Sequence, residues 1–173
     1  VALARARGLD GICLTEHDRW WDLAVLDELR ERTAFPIFHG VELTTDIGHV
    51  LDFGLPATPA PLATIEAAFT AAESVGGALF LAHPARDGLL KVDHRTVEYF
   101  ASVEAINGSD SRLQNIAATG LAHGFRLPGI GGSDAHTPAE VGRAATRFDH
   151  AVAGDEALVA ALLAGAYSAL SLE

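Results

Sequence analysis

The sequence predicts an α/β fold with a largely parallel sheet. Three observations carry that expectation. Apolar, β-rich runs alternate with amphipathic helical stretches, glycines stand where helices should stop, and nearly every apolar run ends in acid, histidine or amide residues. At 173 residues and 49% hydrophobic content, the chain can bury one core. No apolar run reaches the roughly 18 residues that span a bilayer, and no secretory signal opens the chain. A formal charge of −11 argues against nonspecific binding to nucleic acid or an anionic membrane, since both need a basic footprint. The single cysteine, Cys13, excludes an internal disulfide and reads as a packed small residue, in keeping with a cytoplasmic setting.

The opening VALARARG (1–8) reads as a helix already under way, with Gly8 as its C-cap. The chain contains no methionine, so sequence is expected upstream of Val1 and the fold is read as N-terminally incomplete. Strand-like runs follow at GICLT (11–15), FPIFHGVEL (35–43), HVLDFGL (49–55), ALFLAH (78–83), SVEAIN (102–107) and LPGIGG (127–132). Weaker ones are AATRF (144–148) and AYSALSL (166–172). Helical patterns cover LAVLDELRER (23–32), LATIEAAFTAAESV (62–75), SRLQNIAATGLAHG (111–124) and DEALVAALLAG (155–165). Gly124 and Gly165 fall at C-cap positions. PATPAP (56–61) is a stiff connector, too short to divide the chain. Thr137-Pro138-Ala139-Glu140 reads as a capping box, so a helix is expected to begin there.

Set on this scaffold, the polar residues cluster at strand ends. TEHD (15–18) closes the first strand, Glu42 falls near the end of the next, and His49 opens GHVLDFGL. His83 closes ALFLAHPAR, Glu104 and Asn107 belong to VEAINGSD, and Asp134 and His136 follow the glycine pair of GGSDAH. In α/β folds the C-terminal ends of the strands are where active sites are built. Strands meeting solvent account for Asp and Asn there. They account poorly for histidine at four such positions in a chain with eight histidines and one lysine. Imidazole and carboxylate together suit Zn²⁺, Mn²⁺ or Fe²⁺. Bound cations would also reverse the local sign, and so admit an anionic substrate to an acidic protein.

These segments, in this order, resemble the polymerase and histidinol phosphatase (PHP) domain family: TEHD, GVE, AHPAR, VEAINGSD and GGSDAHTPAEVGRAATRF. The resemblance runs from Gly8 to about Ser168, and the closing motif and AHPAR are its specific parts. It implies a distorted (β/α)7 barrel, TIM-like in plan, as a single PHP domain over residues 1–173. It implies two or three divalent metal ions (Zn, Mn or Fe), with His17, Glu42, His83, Asp134 and His136 as ligands and Glu42 as the bridging carboxylate. His49 is a further site residue, either ligand or substrate contact. The implied activity is metal-dependent phosphoesterase action on a small phosphorylated metabolite or nucleotide, through metal-activated water. The alternative is a non-catalytic PHP module that binds metal for structure or regulation. One departure stands out. The family's His-x-His motif usually lies a few tens of residues before the TEHD segment, whereas 16 residues precede His17 and none is histidine. The helical start favours a position upstream of Val1 for that motif, without which one metal would lose two ligands.

Other residues keep two readings. Arg86, three after His83, is either a bidentate phosphate contact or a surface arginine at a strand end. Asn107 either donates to a phosphate or caps the helix starting near Ser109–Ser111, and capping is the simpler role. Trp20 and Trp21 either wall the pocket mouth or cover the rim. Glu16 and Asp18 flank His17 as supporting candidates. His39 reads as packing, His123 as a helix C-terminal cation, and His94 and His150 as loop residues.

Overall fold

Strands and helices alternate along the computed structural model, which describes residues 1–58, 61–86 and 92–172. Residues 59 and 60 of the PATPAP connector lie outside the described residues. The elements run α1 (Ala2–Ala6), β1 (Ile12–Leu14), α2 (Leu23–Thr33), β2 (Ile37–His39), β3 (Val41–Thr45), β4 (Gly48–Phe53), α3 (Ile65–Val75) and β5 (Ala78–Leu81). They continue with β6 (Ser102–Asn107), α4 (Arg112–Phe125), β7 (Ile130–Gly132), β8 (Ala144–Phe148), α5 (Asp155–Ala164) and β9 (Tyr167–Ser171). No helix among the described residues is long and apolar enough to cross a membrane.

Among the described residues the strands form three sheets, β1–β2, β3–β4–β5–β6–β7 and β8–β9, and their pairing is mixed rather than largely parallel. β1–β2, β5–β6 and β6–β7 are parallel, while β3–β4, β4–β5 and β8–β9 are antiparallel. Chain length explains the first reversal. Thr45 pairs with Gly48 across two intervening residues, and so short a link can only form a hairpin. The run FPIFHGVEL divides at Gly40, β2 pairing with β1 and β3 with β4. Gly40 is where strands crowd: a Cβ there would stand 3.0 Å from both Phe53 and Thr15 and 3.1 Å from the Asp52 carbonyl. Pairing with the first strand still persists beyond the break, since Gly40 N donates to Leu14 O and Glu42 N to Glu16 O.

At the other edge, the Thr146 hydroxyl of β8 bonds both N and O of Gly131 in β7. No ladder among the described residues joins β8 or β9 back to β1. The distorted (β/α)7 barrel implied by the resemblance is therefore represented here by an arc of strands whose ladders do not close.

Side-chain alternation sorts the core into two sides. Val41, Leu43, Val50, Leu79 and Leu81 pack with Ile65, Ala68 and Ala72 of α3. Leu51, Phe53, Phe80 and Ala82 pack with Ile130, Tyr167 and Leu158 and Leu162 of α5. Cys13 packs on this second cluster as a small apolar residue, and burial pushes its thiol pKa up. Leu26 of α2 buries against Ala4, Phe35 and Ile37, with Trp21 alongside.

Helix ends follow their local chemistry. Asp22 caps α2, Thr64 caps α3, and Ser111 with Gln114 forms a capping box on α4. Arg5 donates to the carbonyls of Thr33 and Ala34, placing a cation at the C-terminus of α2. Gly165 caps α5 in the left-handed region as expected. Gly124 does not cap α4. The helix runs on to Phe125 and Arg126 takes the left-handed position, closed by Leu127 N on Ala122 O at 2.8 Å. The Thr137–Glu140 capping box forms, but what it starts is a single 3-10 turn that gives way to β8.

Burial raises the pKa of a core acid in this fold. Asp52 of β4 is 1% exposed; its Oδ1 accepts from Leu55 N at 2.8 Å, and Oδ2 has no hydrogen-bond partner. Burial pushes its pKa up to about 7, against the pull of the Leu55 hydrogen bond. The folded state thus holds this proton more tightly than the unfolded chain. Its stabilisation is full below about pH 4 and is lost as pH rises to about 7, on the order of a few kcal/mol. Asp52→Asn keeps the acceptor and removes the charge. Urea melts from pH 5 to 8 should show the variant gaining stability over wild type as pH rises; a difference independent of pH would exclude this titration.

Candidate metal centre

Glu42 gathers three imidazoles. In the β3–β4 ladder Glu42 pairs with Leu51 and Thr44 with His49, so Glu42 and His49 are diagonal neighbours on one face. Their side chains meet, with His49 Nδ1 2.9 Å from Glu42 Oε1. His83 reaches the same oxygen, its Nε2 at 3.1 Å. His17 approaches the other, Nε2 to Oε2 at 3.6 Å, held by a parallel bridge between His17 and Glu42. Ring packing follows the same grouping: His17 and His49 stack edge-on at 4.7 Å, and His49 and His83 at 5.1 Å. Glu42 and His83 are buried, whereas His17 and His49 keep about half and a third of their side chains in solvent.

His83 does not simply continue β5. Its backbone takes φ of 23°, in the region that costs a β-carbon. The turn is fixed by Arg86 N on His83 O at 2.9 Å and by His83 N on Glu104 Oε2 at 2.8 Å. Burial works against a charged His83, but the hydrogen bond to Glu42 together with the charges of Glu104 and Glu42 holds the His83 pKa above its ordinary value.

Glu104 and Asn107 of β6 carry the site across the sheet. Residues three apart on a strand normally face opposite ways. The β6–β7 register shifts between Glu104 and Ile106, and this irregularity brings the two side chains together, Asn107 Nδ2 on Glu104 Oε2 at 3.0 Å. Asn107 Nδ2 also reaches Asp134 Oδ2 at 3.3 Å, beyond the end of β7. Burial pushes the Glu104 carboxyl up to about 7, opposed by its hydrogen bonds from Asn107 and His83. Asp134, at φ of 47°, is the second site residue in the left-handed region.

The fate of each expected residue is then plain. His17, Glu42, His49 and His83 form one contiguous group. Asp134 joins it through Glu104 and Asn107. His136 is mostly exposed; its Nδ1 lies 3.0 Å from the Asp134 carbonyl and 3.7 Å from Oδ1. Glu42 lies near the start of β3 rather than its end, and His49 near the start of β4, where strand reversal carries it to Ala82, beside His83.

Arg86 is partly exposed, but its guanidinium is held among polar side chains of the site. Its Nε donates to Asp110 Oδ1 at 2.6 Å, and its Nη2 lies 2.8 Å from Asp134 Oδ2 and 3.1 Å from Asn107 Oδ1. Asn107 does not cap α4, which Ser111 caps; it uses Oδ1 for Ser109 N and Arg86 and Nδ2 for the two carboxylates. Trp20 covers the rim, its Nε1 bonding Leu55 O. Asp18 Oδ1 supports the first strand by accepting from Thr44 N. Asp110 was not singled out as a site residue, although it ends the segment VEAINGSD; its buried side chain became visible only with the fold.

The donor set fits a divalent metal. One donor atom each from His17, Glu42 and His49 lie within 4.8 Å of one another. Ligands of an ion bound at about 2.0–2.2 Å sit roughly 3–4 Å apart. The His49–Glu42, His83–Glu42 and His49–His83 separations of 2.9, 3.1 and 3.3 Å already match that spacing.

Fold and site define an α/β domain with a cluster of histidine and carboxylate side chains gathered on Glu42. The PHP-associated family model, PHP_C, matches residues 112–167. Solved structures share the fold over nearly the whole chain. A two-domain protein from Bacteroides vulgatus containing a predicted PHP-like metal-dependent phosphoesterase superposes with a TM-score of 0.75 at 22% identity, over 95% of this chain and 56% of that one. PsfC from Pseudomonas syringae gives 0.70 at 22%, over 98% and 80%. An amidohydrolase from Chromobacterium violaceum, with bound sulfate and no metal, gives 0.69 at 17%, over 99% and 91%. Among curated proteins no sequence match is found. The family likeness lies in residues 112–167, and the solved structures share the fold of the whole chain.

The packing of Glu104 makes a direct test. A Cβ on Gly132 would stand 2.6 Å from Glu104 Oε1, whose partner oxygen is pinned by His83 and Asn107. Gly132→Ala should cost about 1–3 kcal/mol in urea unfolding. Gly120→Ala, inside α4 with nothing within 4 Å of the new carbon, should be neutral or gain up to about 1 kcal/mol. Equal effects would remove Glu104 as the constraint.

Proposed function

We propose that this protein is a metal-dependent phosphoesterase that hydrolyses a small phosphorylated metabolite or nucleotide. The observation that carries the reading is the convergence of three imidazoles on the Glu42 carboxylate. His17, Glu42, His49 and His83 would hold one part of a divalent centre, and Asp134 and His136 another. When bound, such ions supply Lewis acidity and an acidified water for attack at phosphorus. The protein's own groups do the rest. Glu42 orients His49 and His83, and Glu104 and Asn107 set the relation between the His83 and Asp134 sides. Arg86 stands beside Asp134 with a planar fork suited to phosphate oxygens. A divalent centre would make this corner attractive to an anion in a chain of net charge −11.

Amide hydrolysis is the competing reading, because a structural relative is described as an amidohydrolase. The two separate in one experiment. The protein, stripped by chelator and reloaded with Mn²⁺ or Zn²⁺, is offered phosphomonoesters, phosphodiesters and amides in parallel. Metal-dependent turnover of phosphoesters alone is expected; turnover of amides alone would replace the proposal.

Two variants test the assigned roles. His83→Ala should lower bound metal and abolish turnover. Arg86→Lys keeps the charge and should retain metal, yet raise KM or lower kcat by about ten- to a hundred-fold, the value of one charged hydrogen bond. Unchanged kinetics would confine Arg86 to its carboxylate partners.

A further inference from the structure

Asp110 is the one charged residue of this corner to which the proposed chemistry assigns no task. It stands between the Asn107 turn and the first residue of α4, with its side chain 1% exposed. Oδ1 receives Arg86 Nε at 2.6 Å, while Oδ2 is buried and has no hydrogen-bond partner. On its other edge the same guanidinium faces Asp134 Oδ2 at 2.8 Å and Asn107 Oδ1 at 3.1 Å. One cation therefore stands between two carboxylates, one enclosed and one at the metal-type site. A buried carboxylate is tolerated only with a partner, so Asp110 and Arg86 form a committed pair. Asp134 borrows the far edge of that pair.

We propose that Asp110 is a positioning residue. It anchors Arg86 by its Nε edge and offsets its charge, so that Asp134 remains open to a divalent cation. The inference rests on the metal-centre reading above and adds a charge relation that the reading does not contain. Without Asp110, the whole guanidinium charge would fall on Asp134 and oppose a metal there. With both Asp110 and Arg86 neutral, Asp134 would again stand in an uncompensated field and bind a cation freely. The signature is an asymmetry: loss of Asp110 alone weakens metal binding while loss of Arg86 alone does not, whereas a purely structural pair suffers from the loss of either partner.

The test is calorimetric titration of the chelated protein with Mn²⁺ alone, without substrate. Asp110→Asn keeps the shape and the Oδ1 acceptor and should weaken Mn²⁺ binding by about tenfold. The double variant Asp110→Asn with Arg86→Gln should return to within about threefold of wild type. Arg86→Gln alone should bind at least as tightly as wild type, which keeps the proposal testable if Asp110→Asn fails to fold by circular dichroism. Unchanged affinity in Asp110→Asn, or a double variant as weak as that single one, overturns the proposal while leaving the metal centre standing. Weaker binding by Arg86→Gln alone overturns it equally. Wild-type protein that binds no Mn²⁺ overturns the metal-centre reading itself, and this inference with it.

Discussion

The site depends on burying the Glu42 carboxylate. Glu42 is 6% exposed on the same side of the sheet as Leu51, where its neighbours along the strands are core residues. An isolated charge there would be untenable, so its two oxygens must be met by donors or cations. His49 and His83 meet one oxygen and His17 the other. Each of these three histidines comes from a different part of the sheet. The position of Glu42 therefore constrains the parallel continuation of β1, the hairpin at residues 45–48 and the turn after β5 all at once.

A second constraint explains how the two halves of the site communicate. β6 lies between β5 and β7, so whatever joins His83 to Asp134 must cross it. A regular strand would offer Glu104 and Asn107 to opposite faces. The register shift turns them to one side, where they share Oε2 of Glu104 with the His83 backbone. Gly132 on β7 then leaves room for the other oxygen. Local irregularity, not regular pleating, makes this part of the site.

Much of this was legible in the sequence because it follows from short-range rules. Histidine and carboxylate at the ends of apolar runs pointed to His17, Glu42, His83 and Asp134, and the order of motifs pointed to the PHP family. The strands themselves were legible within one or two residues at β1, β6 and β8. What was not legible depends on partners distant in the chain. The mixed sheet arises because β3 and β4 form a tight hairpin, an effect of link length that alternating apolar patterns do not record. The place of Asp110 and the loss of the capping role for Asn107 arise because Arg86, 24 residues away from Asp110 in sequence, bonds them both. Gly124 misled because a glycine within a helix and one at its end look alike until the helix is seen to continue to Phe125.

Backbone strain falls where the chemistry is expected. The non-glycine residues with positive φ are Asp18, Ala34, His83, Arg126 and Asp134 among the described residues. Ala34 and Arg126 end helices, where the left-handed turn satisfies carbonyls. The other three lie in or beside the site, and no helix end accounts for them. Each costs of the order of 1 kcal/mol or more and must be over-determined by its surroundings. Those surroundings are visible: Asp18 bonds the β3 backbone, His83 is tied to Glu104 and Glu42, and Asp134 is tied to Asn107 and Arg86. The strain turns His83 and Asp134 out of strand geometry, so that their side chains meet the site network rather than continuing the pleat. Apart from Glu42, the groups that hold them are Glu104, Asn107 and Arg86, so much of the geometry of the site is set by residues outside the histidine cluster.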